Sequence, residues 1–344
     1  MNRPGKEALD ALLERQDLAE DAAYQLMLAL TDAEMAPAMA GALLAALRIK
    51  GVTADEVRGF ARAMRSLARR PELAPGAPVA DLVGTGGDGS HSLNLSTGAA
   101  LLAAAAGVRI VKHGNRSVSS RSGSADVLEA LGLPLPLDET AAGACLERTG
   151  FTFLFAPHYH PAMKAIAPVR AALGVRTIFN LLGPLANPAQ APYAVIGAWS
   201  SDVARLMADS LAGMEIRRMF VVHGDDGWDE PTPAAPFTLF DVQPGSVKKT
   251  RRTAADFGLP ACDAEALTGS DAAHNAARLA AVLRGEERGA HRDALVMGAA
   301  LVAEVTTLAA DAVTGARLAA AAIDDGRAAK LLTDIVSWGR ELAR

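Results

Sequence analysis

The sequence predicts an α/β protein: a small N-terminal all-helical unit joined to a larger one built on a mostly parallel sheet flanked by helices. Three observations carry this. Residues 1 to about 70 hold helical patterns only. From about residue 80, short apolar runs alternate with Ala-rich helical stretches, which is the pattern of strands joined through helices. Between the two lies the segment 71–78, PELAPGAP, whose prolines and glycine read as a linker. The expected division is therefore 1–72, with part of 160–190 packed on it, and 78–344.

In the helical part, helix starts are expected at Asp17…Glu20, Thr31…Glu34 and Thr53…Glu56, where a short polar side chain and a Glu three residues on can satisfy free backbone N–H groups. Gly51 is the expected helix stop before Thr53. The faces carrying Leu12, Leu13, Leu26, Leu28, Met35, Met39, Leu43, Leu44 and Leu47 are too apolar for such small helices to bury alone. A subunit contact is expected there. In the larger part, strands are expected at Ala80–Val83, Val108–Val111, Phe153–Phe155, Ala194–Gly197 and Met219–Val222. Helices are expected at Ser96–Ala106 and Ser201–Met214. The runs Thr238–Val242 and Ser246–Thr250 read as an antiparallel excursion, and the chain is helical from about Ala264, ending in Ala316–Ile323 and Ala328–Trp338.

Composition sets limits on the function. The 344 residues carry 39 acidic against 34 basic side chains, a net charge of −5. No chain-wide basic footprint for nucleic acid exists, and local basic pockets suit phosphate esters better. Cys145 and Cys262 lie far apart without metal-ligand spacing and read as reduced thiols. Charges interrupt the N-terminal residues every few positions, and the most apolar stretch, Gly98 to Val108, is too short to span a bilayer. The expectation is a soluble, cytoplasmic protein.

Four segments carry groups suited to chemistry. Asp81-Leu82-Val83-Gly84-Thr85-Gly86-Gly87-Asp88 runs from a strand into a glycine-rich turn and an acid. Such a turn brings backbone N–H groups close to phosphate oxygens. It lacks both the Walker lysine and the third glycine of the dinucleotide fingerprint. Asn94-Leu95-Ser96-Thr97 opens an Ala-rich helix, with Asn94, Ser96 and Thr97 as candidate caps and the helix start as an anion site. Lys112-His113-Gly114-Asn115-Arg116-Ser117-Val118-Ser119-Ser120, with Ser122 and Ser124 beyond, crowds cations, a histidine, an amide and hydroxyls into one strand-end loop. Lys112 suits a phosphate as a point charge; Arg116 suits a phosphate or an ion pair. His223-Gly224-Asp225-Asp226-Gly227-Trp228-Asp229-Glu230 places acids after a strand, which suits Mg2+ shared with substrate phosphates. Plain turns, an ordinary cap and a solvated loop are the bland readings of each segment alone.

Together these segments resemble the anthranilate phosphoribosyltransferase family. So do Phe153-Leu154-Phe155-Ala156-Pro157-His158, Met163-Lys164, Pro168-Val169-Arg170 and Gly174-Val175-Arg176-Thr177-Ile178-Phe179-Asn180-Leu181-Leu182-Gly183-Pro184-Leu185. The likeness is dense between about residues 80 and 190 and thinner after 231. It implies the nucleoside phosphorylase/phosphoribosyltransferase type of fold, with a dimer contact on the small helical domain. It also implies transfer of phosphoribose from 5-phosphoribosyl-1-pyrophosphate to anthranilate, with Mg2+, in tryptophan biosynthesis. By resemblance the donor site holds Gly84, Gly87, Asp88, Ser92, Asn94, Leu95, Ser96, Thr97, the loop Lys112 to Ser120 and Ser124. Gly84, Asn115 and Arg170 match anthranilate contacts, and Ser96, Asp229 and Glu230 match metal ligands. His113 is a candidate to line the site or take a proton, and His158 and His160 to flank it.

The chain departs from the family pattern at several places. Ser92 stands where Thr is more common and Trp228 where Leu is usual. Pro231, Pro233 and Pro236 follow the acids, and Gly269-Ser270-Asp271 replaces a more usual Gly-Gly-Asp. Two rival readings are a pyrimidine-nucleoside phosphorylase and a non-catalytic paralogue that binds nucleic acid or a protein.

Overall fold

The computed structural model describes residues 3–76, 78–117 and 121–342, with side chains from Gly5 onward. Four helices come first: α1 (Arg3–Leu13), α2 (Glu20–Leu30), α3 (Pro37–Lys50) and α4 (Ala54–Ser66). The larger part then runs β1 (Ala80–Gly84), α5 (Leu95–Ala105), β2 (Ile110–Gly114), α6 (Ser124–Ala130), α7 (Glu139–Thr149) and β3 (Phe151–Phe155). Three short helices follow, α8 (Ala156–Tyr159), α9 (Met163–Leu173) and α10 (Phe179–Leu185), and then β4 (Tyr193–Gly197), α11 (Ser201–Ala212) and β5 (Arg218–Gly224). A hairpin of β6 (Phe237–Gln243) and β7 (Ser246–Arg252) precedes the closing helices α12 (Ala272–Leu283), α13 (Ala290–Val305), α14 (Ala312–Asp324) and α15 (Arg327–Leu342).

One of the three expected capping boxes forms. The Thr53 hydroxyl accepts from the Glu56 N–H at 3.3 Å, and the Glu56 carboxylate accepts from the Thr53 N–H at 2.9 Å. Gly51 ends α3 at φ +86°, with its N–H donating to Leu47 O. The other two boxes do not form. Asp17 is taken by the Lys50 ammonium at 2.7 Å, so α2 starts after Ala19 without a side-chain cap. Thr31 donates to the carbonyls of Met27 and Leu28 and therefore closes α2 instead of opening α3, which starts at Pro37. The reason is shared: a tertiary or preceding-turn partner outcompetes the local cap.

The seven strands are ordered β3-β2-β1-β4-β5-β6-β7. The pairs among β1 to β5 are parallel; β6 and β7 add antiparallel, as the excursion predicts. Each strand expectation matches one of these strands, with one shift. The run beginning at Val108 enters the ladder only at Ile110 and continues through Lys112 and His113 to Gly114. Val108 N–H is spent on Ala103 O at the end of α5. Lys112 and His113 are buried strand residues, so an apolar-run criterion ends the strand too early.

Both sheet faces are covered, as a parallel sheet requires. Leu82, Val195, Phe220, Val222 and Leu239 face a core shared with α5, α13 and α14. Ala194, Ile196, Val221 and Phe240 face a second core, shared with α4, α10, α11 and the N-terminal helices. That second core carries Leu12, Leu26, Met35, Leu43, Leu44 and Leu47, so most of the apolar helical faces are buried within one chain. Leu13 on α1 is the exception, 68% exposed, and Ile49 on α3, outside that set, is 72% exposed.

The order places β1 between β2 and β4, so successive connections leave β1 in opposite directions. The crevice outside the C-terminal strand ends at such a reversal is where open α/β sheets bind ligands. Gly84, Gly114, Gly197 and Gly224 are the last residues of β1, β2, β4 and β5. A Cβ on Gly197 would sit 1.5 Å from Asp229 O, a backbone atom. Gly197→Ala is therefore expected to lower stability by about 1–3 kcal/mol or more, as overpacking does. Chemical denaturation of the two proteins checks this; equal midpoints would contradict the close approach.

Candidate active site

The strand ends carry two adjoining cavities, of about 370 and 420 Å³. They share a wall made of Val83, Gly84, His113, Gly114 and Asn115. The first is polar, bounded by the loop 86–92, the start of α5, Lys112 and the acids Asp229 and Glu230. The second is bounded by apolar groups from Met64, Met163, Phe179 and Pro184, with Arg170 and Lys164 among them.

In the polar cavity the acids are fixed by backbone donors. Asp229 Oδ2 accepts from Gly86 N–H at 2.5 Å and from the Thr85 hydroxyl at 3.3 Å. Glu230 Oε1 accepts from Ser96 N–H at 3.2 Å, at the start of α5, where free N–H groups favour a carboxylate. Asp88 Oδ2 accepts from Asp229 N–H at 3.3 Å. A Cβ on Gly84 would lie 2.5 Å from Asp229 Oδ2, so only glycine lets the acid stand against the end of β1. Burial, then the neighbouring Asp88, pushes the Asp229 carboxyl well above the usual carboxylate range. Burial and then Asp229 do the same for Glu230, with Lys112 opposing.

Lys112 is buried, with its ammonium donating to Leu82 O and reaching the Ser96 hydroxyl at 3.4 Å. Burial lowers its pKa, and Asp81, Glu230 and Asp229 raise it in that order. Asp81 lies beneath, accepting from Asn187 Nδ2 at 2.7 Å, its pKa pushed up to about 6 chiefly by burial. Acids therefore outnumber buried cations around Lys112.

His113 bridges the two cavities. Its Nδ1 lies 3.0 Å from Gly183 O, and a carbonyl only accepts, so Nδ1 carries the proton. Its Nε2 makes no hydrogen bond among the described residues. Burial, with His160 stacked edge-on at 5.0 Å, drives the His113 pKa down to about 3 and keeps the ring neutral. Burial likewise brings His160 to about 4. His158 lies outside both cavities, 3.5 Å from Glu139.

Most of the expected donor-site residues meet here: Gly84, Gly87, Asp88, Ser92, Asn94, Ser96, Thr97, Lys112, His113, Gly114, Asn115 and Ser124 line the polar cavity with Asp229 and Glu230. Gly84, Asn115 and Arg170 line the apolar one. Leu95, Arg116 and Ser117 line neither. Arg116 is exposed and paired with Asp126 at 2.8 Å and Glu129 at 2.7 Å, so the ion-pair alternative holds and the guanidinium is drawn off the site. The caps expected at α5 also fail. Asn94 instead joins Ser122 and Asn275, tying three segments under the cavity. Val118, Ser119 and Ser120 lie outside the described residues.

Asp225 and Asp226, also in the acidic segment, serve structure: Asp225 pairs with Arg251, and Asp226 accepts from Trp228 N–H. Gly224 N–H donates to Trp228 O and Asp225 N–H to Pro236 O. The proline segment thus closes on itself and leaves Asp229 and Glu230 at its base. The apolar lining of the second cavity, Met64, Met163 and Phe179, escapes a reading of the sequence because such side chains look like ordinary core.

Among the described residues no group of three or more His, Cys, Asp or Glu side chains is set to hold a metal ion alone. The acids nevertheless fit a hard divalent cation. Two carboxylates with raised proton affinity beside the Ser96 hydroxyl offer oxygen donors only, and Mg2+ commonly completes such a set with waters and substrate phosphates.

Comparison with known proteins agrees with this architecture. Residues 6–68 match the helical bundle domain, and residues 76–329 the a/b domain, of a glycosyl transferase family. The chain is thus a glycosyl transferase of the two-domain type. More narrowly, it belongs to the anthranilate phosphoribosyltransferase family. It is 43% identical to the Chloroflexus aurantiacus (strain ATCC 29366 / DSM 635 / J-10-fl) enzyme of that name, over 97% of this chain and 98% of the relative. It is 45% identical to that of Desulforudis audaxviator, over 97% and 96%. The crystal structure of the Thermus thermophilus enzyme matches with a TM-score of 0.90 at 42% identity, covering 97% of this chain and 99% of that one. The Saccharomyces cerevisiae enzyme in complex with PRPP and Mg shares the fold, with a TM-score of 0.88 at 24% identity over 98% of each chain.

The raised pKa values have a consequence for cation binding. Asp229 and Glu230 keep protons in the folded chain at pH values where the unfolded chain, with carboxyl pKa values of about 4, has lost them. The folded state then binds more protons, so these groups cost stability as pH rises above about 4. A divalent cation must displace the protons, so it binds more tightly as pH rises. Thermal unfolding with and without Mg2+ at about pH 5.5 and about pH 8.5 should show the larger Mg2+-induced rise at the higher pH. A larger rise at the lower pH would contradict the assignment.

Proposed function

We propose that this chain transfers the phosphoribosyl group of 5-phosphoribosyl-1-pyrophosphate to the amine of anthranilate, giving N-(5-phosphoribosyl)anthranilate and pyrophosphate, a step of tryptophan biosynthesis. The observation that carries this reading is the shared wall of the two cavities: an acid-lined, amide-rich site and an apolar site with a guanidinium meet at Gly84, His113, Gly114 and Asn115.

In this reading the donor lies in the polar cavity, with its pyrophosphate along the loop 86–92 and the start of α5. Asp229, Glu230 and Ser96 would hold Mg2+. Bound there, the cation supplies positive charge that stabilises pyrophosphate as a leaving group. Lys112 adds a buried positive charge, and the Asn94-centred contacts keep the start of α5 in place.

The acceptor ring lies between Met64, Met163 and Phe179. Arg170 sits 5.0 Å over the Phe179 ring and has no carboxylate partner among the described residues. Its planar pair of donors suits the anthranilate carboxylate. The amine then faces the shared wall, where the bare His113 Nε2 can accept one of its N–H groups and aim the lone pair. The nitrogen lone pair forms the bond to ribose C1 as the C1–O bond breaks and its electron pair leaves on pyrophosphate. With a pKa of about 3, His113 orients the amine and does not store the proton, which departs to pyrophosphate or water. Positioning and leaving-group stabilisation carry the rate.

The exposed Leu13 and Ile49 support a second copy packing on α1 and α3, and we assign a homodimer on that basis. A cytoplasmic biosynthetic enzyme fits the two free cysteines. No described helix is long and apolar enough to cross a membrane.

Purified protein with Mg2+ should consume anthranilate, followed by its fluorescence, only when the pyrophosphate sugar is present. Unchanged fluorescence would refute the reading. Arg170→Ala should raise the anthranilate KM by about 10- to 100-fold, the equivalent of a lost charge-assisted hydrogen bond worth about 1.5–3 kcal/mol. The donor KM should stay nearly constant; an equal rise in both would remove Arg170 from the acceptor site.

A further inference from the structure

Beside the glycine loop stands the exposed Arg176, which lines neither cavity. It lies on the turn between α9 and α10, and its guanidinium donates to Gly87 O. The same guanidinium lies 4.5 Å over the Trp199 ring, and its backbone carbonyl accepts from the Arg48 guanidinium of α3. Trp199 N–H in turn donates to the Thr85 hydroxyl at 3.2 Å. Arg176 has no carboxylate within ion-pair distance among the described residues, and it lines neither cavity. It thus makes no contribution to an ion pair or to a core; what it holds is one peptide carbonyl.

That carbonyl belongs to the Gly87–Asp88 peptide. In a planar trans peptide the C=O and N–H point in opposite directions. Drawing Gly87 O toward Arg176 therefore turns the Asp88 N–H the opposite way, away from Arg176, in a loop whose Gly86, Gly87, Asp88 and Gly89 line the polar cavity. Within the described residues the N–H groups of Gly87, Asp88 and Gly89 make no hydrogen bond to the chain. Three successive free amides at a cavity wall form an anion-binding concavity. The backbone there is intrinsically loose, since Gly86, Gly87 and Gly89 all sit at positive φ, +72°, +73° and +76°. Gly86 is fixed by Asp229, and Asp88 accepts from the N–H of Asp229 and from Ser90; Arg176 is an anchor of this segment from outside the loop that does not belong to the metal-binding acids.

We infer that Arg176 is a positioning residue for the donor: it holds the Gly87–Asp88 peptide so that the Asp88 N–H presents to the pyrophosphate. This rests on the donor site assigned above, and it adds a residue that touches no substrate. A planar guanidinium can donate to the carbonyl while stacked on Trp199; a lysine ammonium can donate but cannot stack the same way.

The test is calorimetric titration of pyrophosphate with Mg2+ into the wild type, Arg176→Ala and Arg176→Lys, paired with steady-state kinetics. Arg176→Ala should weaken pyrophosphate binding and raise the donor KM about tenfold, with the anthranilate KM within about twofold and kcat within about threefold. Arg176→Lys should recover part of the loss. Wild-type protein that binds no pyrophosphate with Mg2+ overturns the donor site itself. Wild-type protein that binds it, with Arg176→Ala binding equally well, overturns the role of Arg176 alone. A parallel rise in both KM values assigns Arg176 to general structure and overturns it too. Should Arg176→Ala fail to fold, Arg176→Met decides, since its chain can still cover Trp199 but cannot donate to Gly87 O: unchanged pyrophosphate affinity refutes the positioning role, and a weakened one upholds it.

Discussion

The site is organised around a buried carboxylate, Asp229, packed against the ends of two parallel strands. Its oxygen takes the Gly86 N–H, its own N–H goes to Asp88, and its carbonyl occupies the space a side chain on Gly197 would need. Such burial is costly for a charged acid, and the raised pKa values of Asp229 and Glu230 record that cost. The neighbourhood explains why it is tolerated. In the proposed reading a cation would relieve it and the donor phosphates would in turn offset the cation, while the buried Lys112 ammonium stands beside the acids. The glycines at the strand ends follow from this packing.

Two cavities that share one wall turn a binding site into a place for group transfer. Each cavity has its own chemistry, oxygen-rich on one side and apolar with a guanidinium on the other. In the proposed reading the transferred carbon and the attacking nitrogen would meet at that wall. His113 belongs to that wall and is held neutral by burial, with its tautomer set by Gly183 O. It thus offers a hydrogen-bond acceptor at the shared wall without adding a positive charge there.

The fold is largely legible in the sequence because a parallel sheet writes each buried strand as an apolar run and each crossover as an Ala-rich helix. It is illegible where function interrupts the run, as at Lys112 and His113, which extend β2 beyond its apolar start. Local cap patterns mislead at Asp17 and Thr31 because distant Lys50 and the preceding turn take those side chains. The polar cavity is legible because free amides, acids and a buried lysine have few other uses at strand ends. Arg116 shows the limit of that logic: a cation in the right loop is claimed by Asp126 and Glu129. The apolar lining is nearly invisible, since Met64, Met163 and Phe179 come from three separate helices and read as core; Gly84, Asn115 and Arg170 mark the site only through the resemblance.

The central claim, that donor and acceptor occupy separate cavities meeting at Gly84 and His113, is tested most directly by a crystal structure with the pyrophosphate sugar, Mg2+ and an unreactive anthranilate analogue bound together. The account predicts pyrophosphate along residues 86–92 with the cation beside Asp229 and Glu230, and the analogue's carboxylate on Arg170. A structure with the pyrophosphate seated among Met64, Met163 and Phe179, or with the analogue away from Arg170, would contradict it.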